Sequence, residues 1–316
     1  MPAQVLLASA LEWVPMFGGG VRFARNQDLF SLGITKPLSN ITGAGIIRPY
    51  PTRIVNGNVT LTAGQSLVDT IVNGKVSCQG AGWLIENCVI RGSAAGFAQG
   101  DWLVNTGSSA GGTIRFSNVN PQTPNAYTNG IGPRKYTAYR NEVWECTDCF
   151  SAFPTLAGVA VDVTIQGCYA HDMTRFSPDY ATNNRAETHN DIFQSQGGSN
   201  IRITGNWFSA YHSTTKGEPT QVLPHIQIAA IMINNNIGDT TDIFVTKNWL
   251  DGGEFTVNAG AATGNPVITD NIFDYGARQF PDGSGTTYAI SVKSTQNYIV
   301  SGNVYNDGVP VVRRNG

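Results

Sequence analysis

Short segments that alternate apolar and polar residues recur along the chain. They include LIENCVIRG from Leu84, TIRFSNVN from Thr113, AYRNEVWE from Ala138 and VTIQGCYAHD from Val163. The series continues with IRITGNWFSA from Ile201, IFVTKNWLDG from Ile243, PVITDNIFDY from Pro266 and YIVSGNVYND from Tyr298. Each reads apolar–polar–apolar, then a polar pair, then Asn or Cys, then large apolar residues. A period of two with a bend near the Asn predicts β-strands, not helices. The Asn/Cys position falls at Cys88, Cys168, Asn206, Asn248, Asn271 and Asn303; from Cys168 onward the steps run from 23 to 42 residues, and the two divergent segments from Thr113 and Ala138 fill the interval between Cys88 and Cys168. A repeat in the 20–50 residue range signals a solenoid or array. A propeller needs four strands per blade, whereas insertions at the turns of a parallel β-helix explain the uneven steps.

Stacked coils place equivalent residues above one another at about 4.8 Å. Ile203, Val245, Ile268 and Val300 are therefore expected to form one inward aliphatic stack. Asn206, Asn248, Asn271 and Asn303 are expected to form an amide ladder in which each side chain both donates and accepts. Cys88 and Cys168 take that place in earlier coils.

Composition agrees with an exposed surface kept wet by neutral polar groups. Charged residues are 13% of the 316, hydrophobic residues 41%, and Gly numbers 36. The formal net charge of −2, with no basic stripe, points away from nucleic acid. The longest apolar run, IQIAAIMI at 226–233, is far short of a membrane span, so no membrane insertion is expected. The N-terminus lacks a basic n-region and a clear cleavage site, so no signal peptide is expected. Five cysteines without a leader predict free thiols, and CTDC at 146–149 reads as a turn with small buried thiols.

The coil segments IRITGN, VTIQGC and LIENCVIRG resemble those of right-handed parallel β-helix proteins of the pectate-lyase-like superfamily. THNDIFQSQGGSNIRITGN is similar to a segment of minor tail proteins from phages that infect actinobacteria, and IVNGNVTLTAGQSLVDTIVNGKVSCQGAGWLIENCVIRG fits the opening coils of that family. The resemblance covers roughly residues 54–312. It implies an all-β fold, a right-handed single-stranded parallel β-helix over 51–316, preceded by a capping or attachment segment over 1–50. In that segment QVLLASALEWV reads as a short amphipathic helix with Leu7, Leu11 and Val14 on one stripe. The resemblance also implies a virion component, made in the host cytoplasm, that contacts other tail proteins and host envelope polysaccharide. Tail β-helices of this kind are often trimers, so a homotrimer is among the implied assemblies. One departure is Ile192–Phe193 after Asp191, where the related pattern often has Gly followed by Ile or Val; that bulk is expected to narrow a groove.

All four histidines lie at 171, 189, 212 and 225, inside the two longest gaps between repeat cores. Long insertions on a rigid solenoid are where binding and catalysis usually sit. Asp191, Glu187, Asp172 and His189 are the candidate catalytic groups. Tyr211, His212, Lys216, His225 and Arg185 are the candidate substrate contacts. Three chemistries compete with a turn-stabilising role for these polar groups. Glycoside hydrolysis needs two carboxylates, for which Asp191 can pair with Glu187, Asp172 or Glu218. Lyase chemistry on a uronic-acid polymer needs a cation, Ca²⁺ held by Asp172, Glu187 and Asp191, and a base such as Arg185 or Lys216. Transition-metal binding would use His189, Asp191 and His225. Tyr211 and Phe280 are placed to stack on sugar rings, whereas Trp207 and Trp249 read as packing residues.

Overall fold

The computed structural model describes Gly45 and residues 49–93, 101–176, 188–211, 229–278, 288–293, 297–311 and 313–315. The amphipathic stretch 4–14 lies outside them, as do Glu187, Arg185, His212, Lys216, Glu218, His225 and Phe280. Among the described residues the structure is all-β apart from one 3-10 turn, Tyr275–Ala277. No described helix is long and apolar enough to cross a membrane.

All pairings between the described strands are parallel and join equivalent strands of successive coils, the arrangement of a β-solenoid. Each complete coil contributes three strands. The first face carries Tyr136–Tyr139, Val163–Gln166, Ile201–Thr204, Ile243–Thr246, Val267–Thr269 and Ile299–Ser301. The second carries Glu142–Trp144, Tyr169–His171, Trp207–Ala210, Trp249–Gly252, Ile272–Phe273 and Val304–Tyr305. The third carries Phe150–Ala152, Asp191–Ser195, Ala229–Ile233, Phe255–Ala259, Tyr288–Val292 and Arg313–Asn315. In the opening coils the long strands Val76–Glu86 and Trp102–Arg115 pass from the third face into the first without a break.

The expected aliphatic stack is present. Ile165, Ile203, Val245, Ile268 and Val300 are in register, and the first four are fully buried. Burying one such side chain is worth about 1.5–3 kcal/mol. Phe208, Leu250 and Phe273 stack inside the second face, and Phe150, Phe193, Ile231 and Val257 inside the third.

The bend between the first and second faces has one construction throughout. The residue before each ladder position is left-handed: Asp69, Asn87, Phe116, Arg140, Gly167, Gly205, Lys247, Asp270 and Gly302, with φ of 50–67°. That conformation turns the strand and frees buried backbone groups, which the ladder then satisfies. Asn248 shows the pattern. Its Oδ1 accepts from the Asn206 N–H (3.0 Å) and Asn206 Nδ2 (2.9 Å), while its Nδ2 donates to Asn271 Oδ1 and the Ile203 carbonyl (both 2.9 Å). The ladder also runs through two rungs that the sequence pattern did not assign, Ser117 and Asn141. Ser117 Oγ accepts from the Cys88 N–H at 3.1 Å, and Asn141 Oδ1 from the Ser117 N–H at 3.1 Å. Cys168 continues it, its Sγ accepting from the Asn141 N–H at 3.4 Å.

All five cysteines are free and buried, as expected. Burial pushes the Cys78 and Cys168 thiols up to about 12 and Cys88 to about 11. Ahead of the first coil, the Gly45 N–H donates to the Arg140 carbonyl (2.8 Å) and Asn87 Nδ2 to the Pro49 carbonyl (3.4 Å). At these points the chain lies along the ladder corner.

Candidate functional site

The two insertions that carry His189, His212 and His225 both connect the second face to the third. They leave the adjacent strands Tyr169–His171 and Trp207–Ala210, and re-enter at the adjacent strands Asp191–Ser195 and Ala229–Ile233. The first insertion is closed at its neck. The Thr188 N–H donates to the Phe176 carbonyl (2.9 Å), and the Phe176 N–H to Thr188 Oγ1 (3.0 Å).

Asp191 opens the third-face strand just beyond that neck and is fully buried. Asp148, one coil earlier, lies beside it, and its Oδ1 accepts the Asp191 N–H at 3.0 Å. Burial and then the neighbouring Asp191 charge push Asp148 well above the usual carboxylate range. Burial also raises Asp191, with His189 and Gln194 pulling it back. His189 is largely exposed, its Nδ1 3.9 Å from Asp191 Oδ2, an ion-pair distance too long for a hydrogen bond. The two glutamines of the QSQ stretch form a directed amide chain to the same carboxylate. Asn236 Nδ2 donates to Gln196 Oε1 (2.6 Å), Gln196 Nε2 to Gln194 Oε1 (2.9 Å), and Gln194 Nε2 to Asp191 Oδ2 (2.9 Å). Ile192 and Phe193 are buried, with Phe193 packed between Phe150 and Ile231, so their bulk fills the core and narrows no groove. The following GGSN is a tight turn, with Gly197, Gly198 and Asn200 all at positive φ.

Asp172 stands apart from this buried pair, on the outside of the second face. There the residues one and three places beyond each ladder position point outward in two columns. The first runs Glu142, Tyr169, Trp207, Trp249, Ile272, Val304. The second includes Trp144 and His171, then Ser209 and Asp251, each pair in register. His171 is sandwiched: its ring lies 4.1 Å from that of Tyr169 and 5.8 Å from that of Trp144, nearly parallel to both. Its Nδ1 meets Asp172 Oδ2 at 2.7 Å and its Nε2 meets Glu142 Oε1 at 3.3 Å. Burial alone would lower the His171 pKa, but the two carboxylates more than offset it and the pKa ends above 6.5. Further along, Trp207, Trp249 and Ile272 form a small apolar cluster of their own outside the solenoid core.

That strip ends in a second carboxylate pair, Asp251 and Asp274, again on successive coils. Asp251 is half-buried and its Oδ1 accepts from Tyr211 Oη (3.1 Å) and the Gly276 N–H (2.9 Å). Asp274 is buried, with Oδ2 accepting from Trp249 Nε1 (3.1 Å) and Oδ1 from Asn306 Nδ2. Burial first, and then the Asp274 charge, push Asp251 up to about 7. A side chain at Gly276 would meet Tyr211 Oη, so glycine there lets the tyrosine reach Asp251.

The structure thus separates the expected site residues. Asp191 and His189 share the neck; Asp172 and Tyr211 belong to the outer strip. Asp148, Gln194, Asp251, Asp274 and Glu142 were missed. Asp251 and Asp274 each lie three residues after a ladder Asn, so lining up the repeats at that offset would have found them. Among the described residues no three His, Cys, Asp or Glu side chains are grouped to hold a metal ion. A shallow cleft of about 260 Å³ on the first face is lined in part by Lys135, Asp162 and Asn200, but these groups bind one another.

The fold defines a parallel β-solenoid. Beyond it, no family model, curated protein or solved structure matches the chain.

Proposed function

We propose that the chain is a minor tail protein of a phage virion, a right-handed β-helix that presents its second face and adjoining insertions to host envelope glycan. Residues 1–50 cap the coil or attach it to neighbouring tail proteins. The motif resemblance of THNDIFQSQGGSN supports the tail context. The observation that carries the glycan reading is the outer strip. Trp144 and Tyr169 are half-buried rings beside Glu142 and Asp172, with Asp251 further along the same strip, which combines apolar platforms with hydrogen-bond acceptors. Its acidic character favours neutral or amino sugars over uronic-acid polymers, which the carboxylates would repel.

The test is binding of the purified full chain to neutral, amino-sugar and uronic-acid envelope polysaccharides. Trp144→Ala and Tyr169→Ala are expected to weaken binding at least tenfold with the far-UV spectrum unchanged. Unaltered binding in both variants, or no binding to any polymer, would remove the reading. Antibody labelling of phage particles tests the tail context, and absence from the virion would refute it.

A second reading, glycoside hydrolysis, rests on Asp251 and Asp274. Their backbones are one coil apart, about 4.8 Å, near the separation of about 5–5.5 Å at which a carboxyl pair works with retention. Asp251, pushed up to about 7, is the group suited to donate a proton near neutral pH, and Asp274, held by Trp249 and Asn306, is the second carboxyl beside it. Chain shortening abolished by both Asp251→Asn and Asp274→Asn is the expected result. Shortening that persists in either variant counts against the pair.

A further inference from the structure

The outer strip holds a histidine that is pinned on every side. His171 ends the strand Tyr169–His171, and its side chain is largely buried although it lies outside the solenoid core. Both ring nitrogens face a carboxylate, Nδ1 at 2.7 Å from Asp172 Oδ2 and Nε2 at 3.3 Å from Glu142 Oε1. A neutral imidazole has one N–H and one lone pair, so it can satisfy only one of those acceptors. The imidazolium, with a proton on each nitrogen, satisfies both. The backbone supports the arrangement. Asp172 is left-handed (φ 47°), a bend that aspartate tolerates better than most residues, and its carbonyl accepts the Glu145 N–H (3.0 Å) of the preceding coil.

The same ring is a spacer. Glu142 is in register with Tyr169, and Trp144 with His171, so the two aromatic rings are diagonal neighbours. His171 lies between them, 4.1 Å from the Tyr169 ring with 20° between planes, and 5.8 Å from the Trp144 ring with 7°. One face of each aromatic ring is covered by the imidazole, and its tilt is set by that contact. A positive charge against two electron-rich ring faces stabilises the stack. Among the described residues, the preceding strand presents Glu142, and the ring's own strand presents Tyr169 and then Asp172. The following strand, Trp207–Ala210, carries no titratable side chain, and the Asp251 charge one coil further reaches Tyr169.

We propose that His171 is the positioning residue of the glycan-binding strip, an imidazolium wedge that Glu142 and Asp172 pin between Trp144 and Tyr169 to hold the two rings as fixed platforms for sugar. This inference rests on the glycan reading of the strip and adds a residue and a regulation to it. Platforms held in place bind without the cost of ordering two side chains. A ring that has lost one proton turns a lone pair toward one of the carboxylates, and the wedge loosens. Burial lowers the His171 pKa, but the two carboxylates outweigh it and leave the pKa above 6.5. Glycan affinity is therefore full in mild acid and falls as pH rises through that value.

The test reads the ring and the ligand separately, in the full chain. The His171 proton resonance is followed in ligand-free protein, identified by its absence from His171→Gln. Affinity for the neutral and amino-sugar polymers is measured from about pH 5.5 to about pH 8.5, the range in which histidine charge changes. Wild type, His171→Gln and Asp251→Asn are compared, because Asp251 titrates in the same window. The His171 resonance is expected to titrate above 6.5. Wild-type affinity is expected to fall at least fivefold across the range, the cost of ordering two side chains anew. The fall should persist in Asp251→Asn and vanish in His171→Gln, whose affinity stays at the low value throughout with the far-UV spectrum unchanged. A resonance titrating at or below 6.5 overturns the proposal. So does an affinity indifferent to pH in wild type, a fall that persists in His171→Gln, or one that disappears in Asp251→Asn. Should His171→Gln fail to fold, the resonance is identified with a second substitution, His171→Asn, and the wild-type and Asp251→Asn profiles decide. Polymer binding that ignores His171 strikes this inference alone, whereas no binding to any polymer at any pH removes the glycan reading and the positioning role with it.

Discussion

Replacing Asn248 by Ala interrupts the ladder at a rung with neighbours on both sides. Four hydrogen bonds disappear: two accepted by Oδ1 from Asn206 and two donated by Nδ2 to Asn271 Oδ1 and the Ile203 carbonyl. The losses are unequal. Asn206 Nδ2 keeps the Ile165 carbonyl (3.0 Å), and Asn271 Oδ1 keeps the Asn248 N–H (3.0 Å). The buried Asn206 N–H loses its acceptor. An orphaned buried donor costs about 1–3 kcal/mol and each of the three further lost bonds about 0.5–1.5 kcal/mol, so the substitution is expected to cost about 2.5 kcal/mol or more. Asn248→Asp places oxygen against oxygen at the Ile203 carbonyl and at Asn271 Oδ1, and at neutral pH it should cost more than Ala. The buried carboxyl would titrate above its unfolded value. The native state then holds a proton that the unfolded chain has lost, so the Asp variant's stability falls as pH rises and its deficit narrows in acid. Urea unfolding followed by tryptophan fluorescence measures both, with Thr246→Ala as the control. The Thr246 hydroxyl bonds only Thr204 Oγ1 (3.2 Å) on the outer surface, and its removal should cost about 0.5 kcal/mol or less. The m-value must stay constant for the comparison to hold. A cost for Asn248→Ala below about 1 kcal/mol, or equal to that of Thr246→Ala, would refute the ladder as a stabilising element.

Two further outcomes follow from burial. None of the five thiols should react with a thiol reagent in the folded protein at pH 8, because all are buried and Cys78, Cys88 and Cys168 ionise only near 11–12; all five should react in denaturant, and rapid native labelling would contradict the packed interior. Asp251, at about 7 when folded against 3.8 ordinarily, keeps a proton that the unfolded chain has lost between those values. Its contribution to stability is therefore lost as pH rises from about 4 through about 7 and is level above. The slope of urea midpoint against pH over that window should be flatter in Asp251→Asn, and an identical slope would show that Asp251 is not the group responsible.

The scaffold was legible because a solenoid repeats its local rules. The stack Ile203–Val245–Ile268–Val300 and the ladder Asn206–Asn248–Asn271–Asn303 follow from a period of two and a recurring left-handed bend. Ser117 and Asn141 escaped because Asn118 beside Ser117, and the charged Arg140 at the bend, blur the same pattern. Third-face strands such as Asp191–Ser195 carry no Asn marker and follow insertions of unequal length, so their register was not readable. That register brings Asp148 to Asp191 across 43 residues and makes a buried pair of what looked like a loop cluster. The cluster divides between a buried neck and an outer strip, and Asp251 and Asp274 lie beyond its edges.

The most direct test of the account is the structure of the chain with a bound envelope oligosaccharide. The account predicts sugar rings along the second face, against Trp144 and Tyr169 and within hydrogen-bonding reach of Asp172 or Asp251. Sugar bound instead in the first-face cleft beside Lys135 and Asp162, with the second face bare, would contradict it.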